Sequence, residues 1–131
     1  MKLAGSLLLL VCAITLVGCG GDTPETVMNE SVTALEEVVE VLASIKDEAS
    51  AKAAGAKLDK LASKLESLQA QMKAFEETYS TEEITAAVEK HADRIQATMS
   101  KLIGEMFRLA TQPELAEHLN AAMEKLQSAT P

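Results

Sequence analysis

Few side chains in this 131-residue chain can act as reagents: two thiols, Cys12 and Cys19, and two imidazoles, His91 and His118. A thiolate is a strong nucleophile and a soft metal ligand, but neither cysteine has a partner at the short intervals of a zinc site. Glu36-Glu37, Glu76-Glu77 and Glu82-Glu83 are paired in sequence only. Adjacent helical residues diverge by about 100°, so these carboxylates belong to solvated faces and not to an acid/base pair. A di-iron bundle needs Glu-x-x-His, yet Val88 and Leu115 stand three residues before the two histidines. Glu114 and His118 lie one turn apart and offer two metal ligands, too few for a site. With no Gly-rich phosphate loop, nucleophile elbow or Cys-His arrangement, the sequence predicts no enzyme and no cofactor.

A haem held between Met and His on facing helices is the sharpest small-molecule alternative. Counting along the expected helices rejects Met28 with His118, which fall at opposite ends, and retains Met28 with His91, which fall at similar heights. Phe75, Phe107 and Tyr79 are the only aromatic residues, too few to pack a porphyrin or stack nucleobases. Met28, Met72, Met99, Met106 and Met123 all recur at core spacing, which favours core filling over a Met-rich binding groove.

The thiol of Cys19 stands in a more specific setting. Lys2 gives a positive start, Leu3 to Val17 form an apolar run broken only by Gly5, Ser6 and Thr15, and Gly18 precedes the cysteine. That is the three-part layout of a secretory signal, and it is short of the roughly 20 apolar residues that cross a bilayer. Leu16-Val17-Gly18-Cys19 resembles, over all four positions, the lipobox of bacterial lipoproteins. The resemblance implies a diacylglycerol on the Cys19 sulfur, cleavage between Gly18 and Cys19, and fatty acids such as palmitate at the new N-terminus. Two or three acyl chains hold a protein to a bilayer for practical purposes permanently. Position 20 is Gly rather than the Asp that resembles an inner-membrane retention signal, so in a two-membrane bacterium the expected address is the outer membrane, facing the periplasm.

Loss of residues 1–18 removes Lys2 and takes the net charge from −8 to −9 over the remaining 113 residues. Such acidity argues against nucleic acid or anionic headgroups as partners. With Cys12 discarded and Cys19 lipidated, no disulfide supports the fold.

The rest of the chain reads as helix throughout. Thr23-Pro24-Glu25 supplies a cap, an N1 proline and an acid for helix one, along which Met28, Val32, Leu35, Val39 and Leu42 recur, widened by Val38 and Ile45. Lys46 with Asp47-Glu48 predicts a turn, a straight run to Gly55 being the alternative. Helix two carries Ala54, Leu58, Leu61, Leu65, Leu68, Met72, Phe75 and Tyr79 at coiled-coil spacing. Ser80 with Glu83 forms a capping box that opens helix three, with Ile84, Val88, Ile95, Met99, Leu102, Met106 and Leu109. Thr111-Gln112-Pro113-Glu114 opens helix four, with Leu115, Leu119, Met123 and Leu126. Gly55 and Gly104 are placed to allow close helix approach.

The expected architecture is therefore all-α: an antiparallel four-helix bundle with coiled-coil-like packing, built on a long hairpin of helices two and three. Residues 1–18 form the signal, 19–26 the lipidated cysteine and tether, and 27–131 the bundle. Helix one has no Lys or Arg and helix two has Lys52, Lys57, Lys60, Lys64 and Lys73, which predicts that these two pack together. At 1.5 Å per residue, helices two and three reach roughly 45 to 50 Å and helices one and four about 25 to 28 Å. The uncovered half of the hairpin should project as an arm bearing Met72, Phe75, Tyr79, Ile84 and Val88, the expected contact surface for a protein partner or a second copy.

Overall fold

A computed structural model describes residues 22–129, whose helices are α1 (Pro24–Ala43), α2 (Glu48–Phe75), α3 (Thr81–Lys90), α4 (Ala92–Ala110), α5 (Pro113–Glu117) and α6 (Asn120–Ala129), with no strand among those residues. The local chemistry of each start is visible. Thr23 caps α1 by accepting from the Thr26 N–H at 3.2 Å. Asp47 accepts from the Ser50 N–H at 2.8 Å while Ser50 Oγ accepts from the Asp47 N–H at 3.0 Å. That reciprocal box breaks α1 from α2 at residues 44–47, so the helix does not run on to Gly55. Ser80 and Glu83 form the expected box at the head of α3.

Helix one begins at Pro24 behind its Thr23 cap, as the sequence predicts, so residues 24–26, assigned to the tether, are helical; three expected elements differ from the structure. Helix three is two helices, because at His91 the N–H turns back to the Val88 carbonyl at 3.1 Å, a tighter i to i+3 bond, before α4 resumes. Helix four is likewise two pieces, α5 and α6, separated at residues 118 and 119. Thr111 does not cap α5: its hydroxyl donates back to the Arg108 carbonyl at 2.6 Å, closing α4 instead.

Helix α1 is the common neighbour that organises the rest. It packs most extensively on α2, as its lack of cations suggested, and on its other side against α3 and α4, while α6 packs along α2 and α5 touches both α2 and α4. The expected direct hairpin of helices two and three is thus replaced by an arrangement with α1 between them. Lys90 reaches Glu25, Arg94 reaches Asn29, and Arg108 reaches the Leu42 and Ile45 carbonyls. The partners are 63 to 66 residues apart in these bonds, and 58 and 61 apart where Arg94 also reaches Glu36 and Thr33, so α3 and α4 run parallel to α1.

Burial follows from that position. Val27, Ala34, Val38, Leu42 and Ile45 are shut from solvent on one side of α1, and Val32 on another, while Met28, Leu35 and Val39 between them are half-buried. From α2 come Ala51, Ala54, Leu58, Leu61, Ala62 and Leu65, and from the end of the chain Leu109, Leu115, Leu119, Ala122 and Leu126. Gly55 lies against α5 and α6, where an added Cβ would meet the His118 carbonyl at 3.6 Å, an ordinary contact; Gly104 faces open space and mediates no close approach.

Leu58 is fully buried and Ile103 is 63% exposed. Truncating a buried Leu to Ala loses transfer energy and leaves a cavity, whereas surface changes stay within about 0.5 kcal/mol. Leu58→Ala is expected to cost about 2 to 5 kcal/mol in urea denaturation, and Ile103→Ala to leave the midpoint nearly unchanged. Equal losses would mean that α4 is covered where the structure leaves it bare.

Candidate functional site

Cys19 and Gly18, the expected lipid attachment and cleavage positions, lie outside the described residues. No helix among the described residues is long and apolar enough to cross a membrane. The remaining surface offers three features: the arm, a polar recess at the joined end, and the outer side of α4.

The arm residues come together only in part. Leu68 is the last buried residue of α2; beyond it Met72 and Phe75 are half-buried, and Phe75 meets Tyr79 edge-on with ring centroids 5.2 Å apart at 89°. This is a favoured aromatic geometry. Tyr79 and Ile84 share a cleft of about 270 Å³ with Glu76, Thr81 and Thr85. Val88 is exposed on α3, whose Ala87 is buried, and α3 packs on α1 rather than along α2. The two-helix arm is therefore a loose corner with an acidic rim of Glu76, Glu77, Glu82 and Glu83.

The recess, of about 650 Å³, is lined by Lys46, Asp47, Glu48, Gln112, Pro113, Glu114, Leu115, Glu117 and His118. His118 Nε2 stands 3.4 Å from Glu48 Oε1, which also accepts from Lys52 Nζ at 2.6 Å. His118 thus faces Glu48, and no group of three or more metal-ligating side chains occurs among the described residues. Met28 and His91 sit at one level between the Glu25–Lys90 and Asn29–Arg94 bonds, and the His91 Nε2 is shut from solvent without a hydrogen-bond partner. Neither Met28 nor His91 lines the recess or the cleft.

The third feature arises from how α4 spends its charges. Arg94 donates to both Glu36 carboxylate oxygens, at 3.2 and 2.8 Å, and to Asn29 Oδ1 at 2.7 Å. Arg108 donates to the carbonyls of Ile45 at 3.0 Å and Leu42 at 2.8 Å and to Glu105 Oε2 at 2.8 Å. It caps the C-terminal carbonyls of α1, where a cation suits the helix dipole. With these arginines and Leu102 and Leu109 turned inward, α4 leaves Ile103 63% and Phe107 74% exposed. Neither residue belongs to the run expected at core spacing. The signal that finds them is a second 3, 4 series along the same helix: Ala92, Gln96, Met99, Ile103, Met106 and Ala110, flanked by Phe107.

Comparison of the chain with protein-family models, with curated proteins and with solved structures returns no match.

The α1–α4 ion pairs carry a pH signature. The hydrogen bond from Arg94 holds the Glu36 carboxyl below its ordinary value, and the bond from Lys90 does the same for Glu25. A carboxyl depressed in the folded state stabilises fully above its unfolded value and loses that contribution as pH falls through the lowered folded one. Both groups are exposed and solvent-screened, so the effect is modest. The drop in Tm caused by Arg94→Met is expected to be larger at pH 7 than at pH 2, toward which Glu36 loses its charge. An equal drop at both values would remove the ion pair from the account of α1–α4 packing.

Proposed function

We propose that this chain is a bacterial envelope lipoprotein, held to a membrane through acyl chains on Cys19, whose helical domain acts by non-enzymatic contact. The observation that carries the reading is Leu16-Val17-Gly18-Cys19 at the end of the Leu3–Val17 apolar run, with a folded helix beginning at Pro24. The sulfur of Cys19 takes the lipid, cleavage after Gly18 frees its amine, and the address is the periplasmic face of the outer membrane where two membranes exist. Gly20, Gly21, Asp22 and Thr23 separate the lipid from α1. At about 3.5 Å per extended residue these four span on the order of 14 Å, so the N-terminal end of α1 stays near the headgroups and the 650 Å³ recess lies about 30 Å away, at the far end of the 20-residue helix. The partners are the membrane, through lipid, and a protein surface met by helices; nucleic acid is excluded by charge. The four-helix antiparallel grouping anticipated from sequence corresponds, on this reading, to α1, α2, α3 with α4, and α5 with α6.

A carrier of a small ligand, haem or a lipid-like molecule, is the second reading, and the sealed, unpartnered Nε2 of His91 beside the level of Met28 favours it. The scarcity of aromatic residues weighs against haem, and absorbance of the purified chain in the Soret region decides that case.

Cys19→Ser is expected to abolish incorporation of a labelled fatty acid and to leave an uncleaved or mislocalised precursor, since serine offers no sulfur for the thioether. Label retained at the wild-type level would overturn the proposal.

A further inference from the structure

The outward seam of α4 is unpartnered in the monomer, and several observations bear on what covers it. Its positions alternate 4 and 3 apart from Ala92 to Ala110, with Met99 and Met106 half-buried, Ile103 and Phe107 exposed, and Gln96 as the one polar member. This is a heptad repeat with Gln96, Ile103 and Ala110 at one core position and Ala92, Met99 and Met106 at the other; a single polar residue at such a site penalises out-of-register pairing, which would set its amide against apolar side chains. At 100° per residue the seam lies opposite Arg94, Thr98, Glu105 and Arg108, which meet α1, and one edge of it borders Leu102 and Leu109, which pack in the monomer's own core. The side of the seam free for pairing is that of Gln96, Ile103 and Phe107.

Charge selects the occupant. In a chain of net charge −8, most surfaces repel a second copy. In a parallel pair, the residues flanking this seam are Ser100 and Phe107 on the exposed edge and half-buried Ile95 and core-packed Leu102 on the other, none of them charged. Asp93 lies in the first turn of α4, where the break at His91 ends the heptad register. The acidic corner at residues 76–83 has no such neutrality.

We propose that two copies of this chain pair in parallel and in register along α4, with Ile103 against Ile103 and Gln96 against Gln96. The parallel sense rests on the lipid-anchor reading above: two copies held to one membrane are related by an axis along its normal, and α4 runs parallel to α1, away from the tether. A 19-residue helix is about 28 Å long, so the seam covers on the order of half the ~800 Å² per partner of a standard interface. Such a dimer is weak in free solution and gains from confinement to a membrane plane, which raises the effective concentration of one copy around another.

The full-length chain carrying Gln96→Cys is oxidised with diamide in intact membranes, alongside Lys64→Cys on the exposed side of α2 as control. The expected result is a reducible dimer at least fivefold more abundant for Gln96→Cys, lost tenfold when Ile103→Glu is added while the helical circular dichroism of that variant is unchanged. Coexpressed Gln96→Cys and Ala110→Cys should cross-link to each other less than each does to itself. The pairing is overturned if Gln96→Cys gives no more dimer than the control or cross-links chiefly to another protein, and the parallel sense if the mixed pair dominates. Fatty-acid label on the same samples reports the anchor separately, so a labelled chain without dimer sinks only this pairing, and an unlabelled one sinks the anchor.

Discussion

Helix α1 carries five glutamates and no cation, and its last carbonyls, like those of any helix, have no partner within it. Both deficits are met from one source. Lys90, Arg94 and Arg108 come from α3 and α4, which run parallel to α1, and pair with Glu25, Glu36 and the carbonyls of Leu42 and Ile45. Exposed ion pairs contribute little to stability individually, but Arg108 is only 34% exposed and satisfies backbone acceptors that would otherwise face the protein. The polar contacts set register and the apolar side of α1 supplies the energy: α2 covers Ala34, Val38 and Leu42, and no surface ion pair approaches that burial.

That division has a consequence for α4. Helix α4 turns its arginines, with Leu102 and Leu109, toward the rest of the protein and leaves outward a strip that includes Ile103 and Phe107. Met99 and Met106 are half-covered while Ile103 and Phe107 stand in solvent, a larger exposed apolar strip than isolated surface residues would give. Gly104, with open space beyond it, belongs to the same uncovered side. The charge pattern that fixes the monomer and the neutral seam proposed for association are two faces of one helix.

Helix starts were legible because capping is local: Thr23, Asp47 and Ser80 each satisfy N–H groups within three residues, and their spacing is written in the chain. The pairing of α1 with α2 was also legible, though for a reason the structure changes. Among the described ion pairs none joins α1 to α2; Lys52 binds Glu48 of its own helix, and the cations that answer α1 are on α3 and α4. Sequence shows that a helix lacks cations but not which of several cationic helices reaches it. The break at His91 was not legible, since no proline or glycine interrupts residues 84–95 and the switch to a tighter hydrogen bond depends on neighbours distant in sequence. Of the candidate surfaces, the corner at Phe75 and Tyr79 was visible as a length mismatch, whereas the exposure of Phe107 required knowing which side of α4 meets α1.

Between the two apolar surfaces, charge and geometry decide which one suits a second copy. The corner offers Phe75 and Tyr79, but they already satisfy each other edge-on, and four glutamates surround them. Bringing two such corners together sets like charges within a Debye length of about 8 to 10 Å, where salt screens them only in part. The α4 strip has no such rim, runs nearly 20 residues without interruption, and leaves Ile103 and Phe107 in solvent. An acidic partner is disfavoured at the corner for the same reason as a second copy, so that surface suits a basic or neutral ligand while the α4 strip suits another apolar helix. On a membrane-tethered chain the two would be spatially distinct as well: the corner lies at the end where α1 begins, close to the lipid, and Phe107 lies beside the C-terminal end of α1, on the order of 30 Å from it.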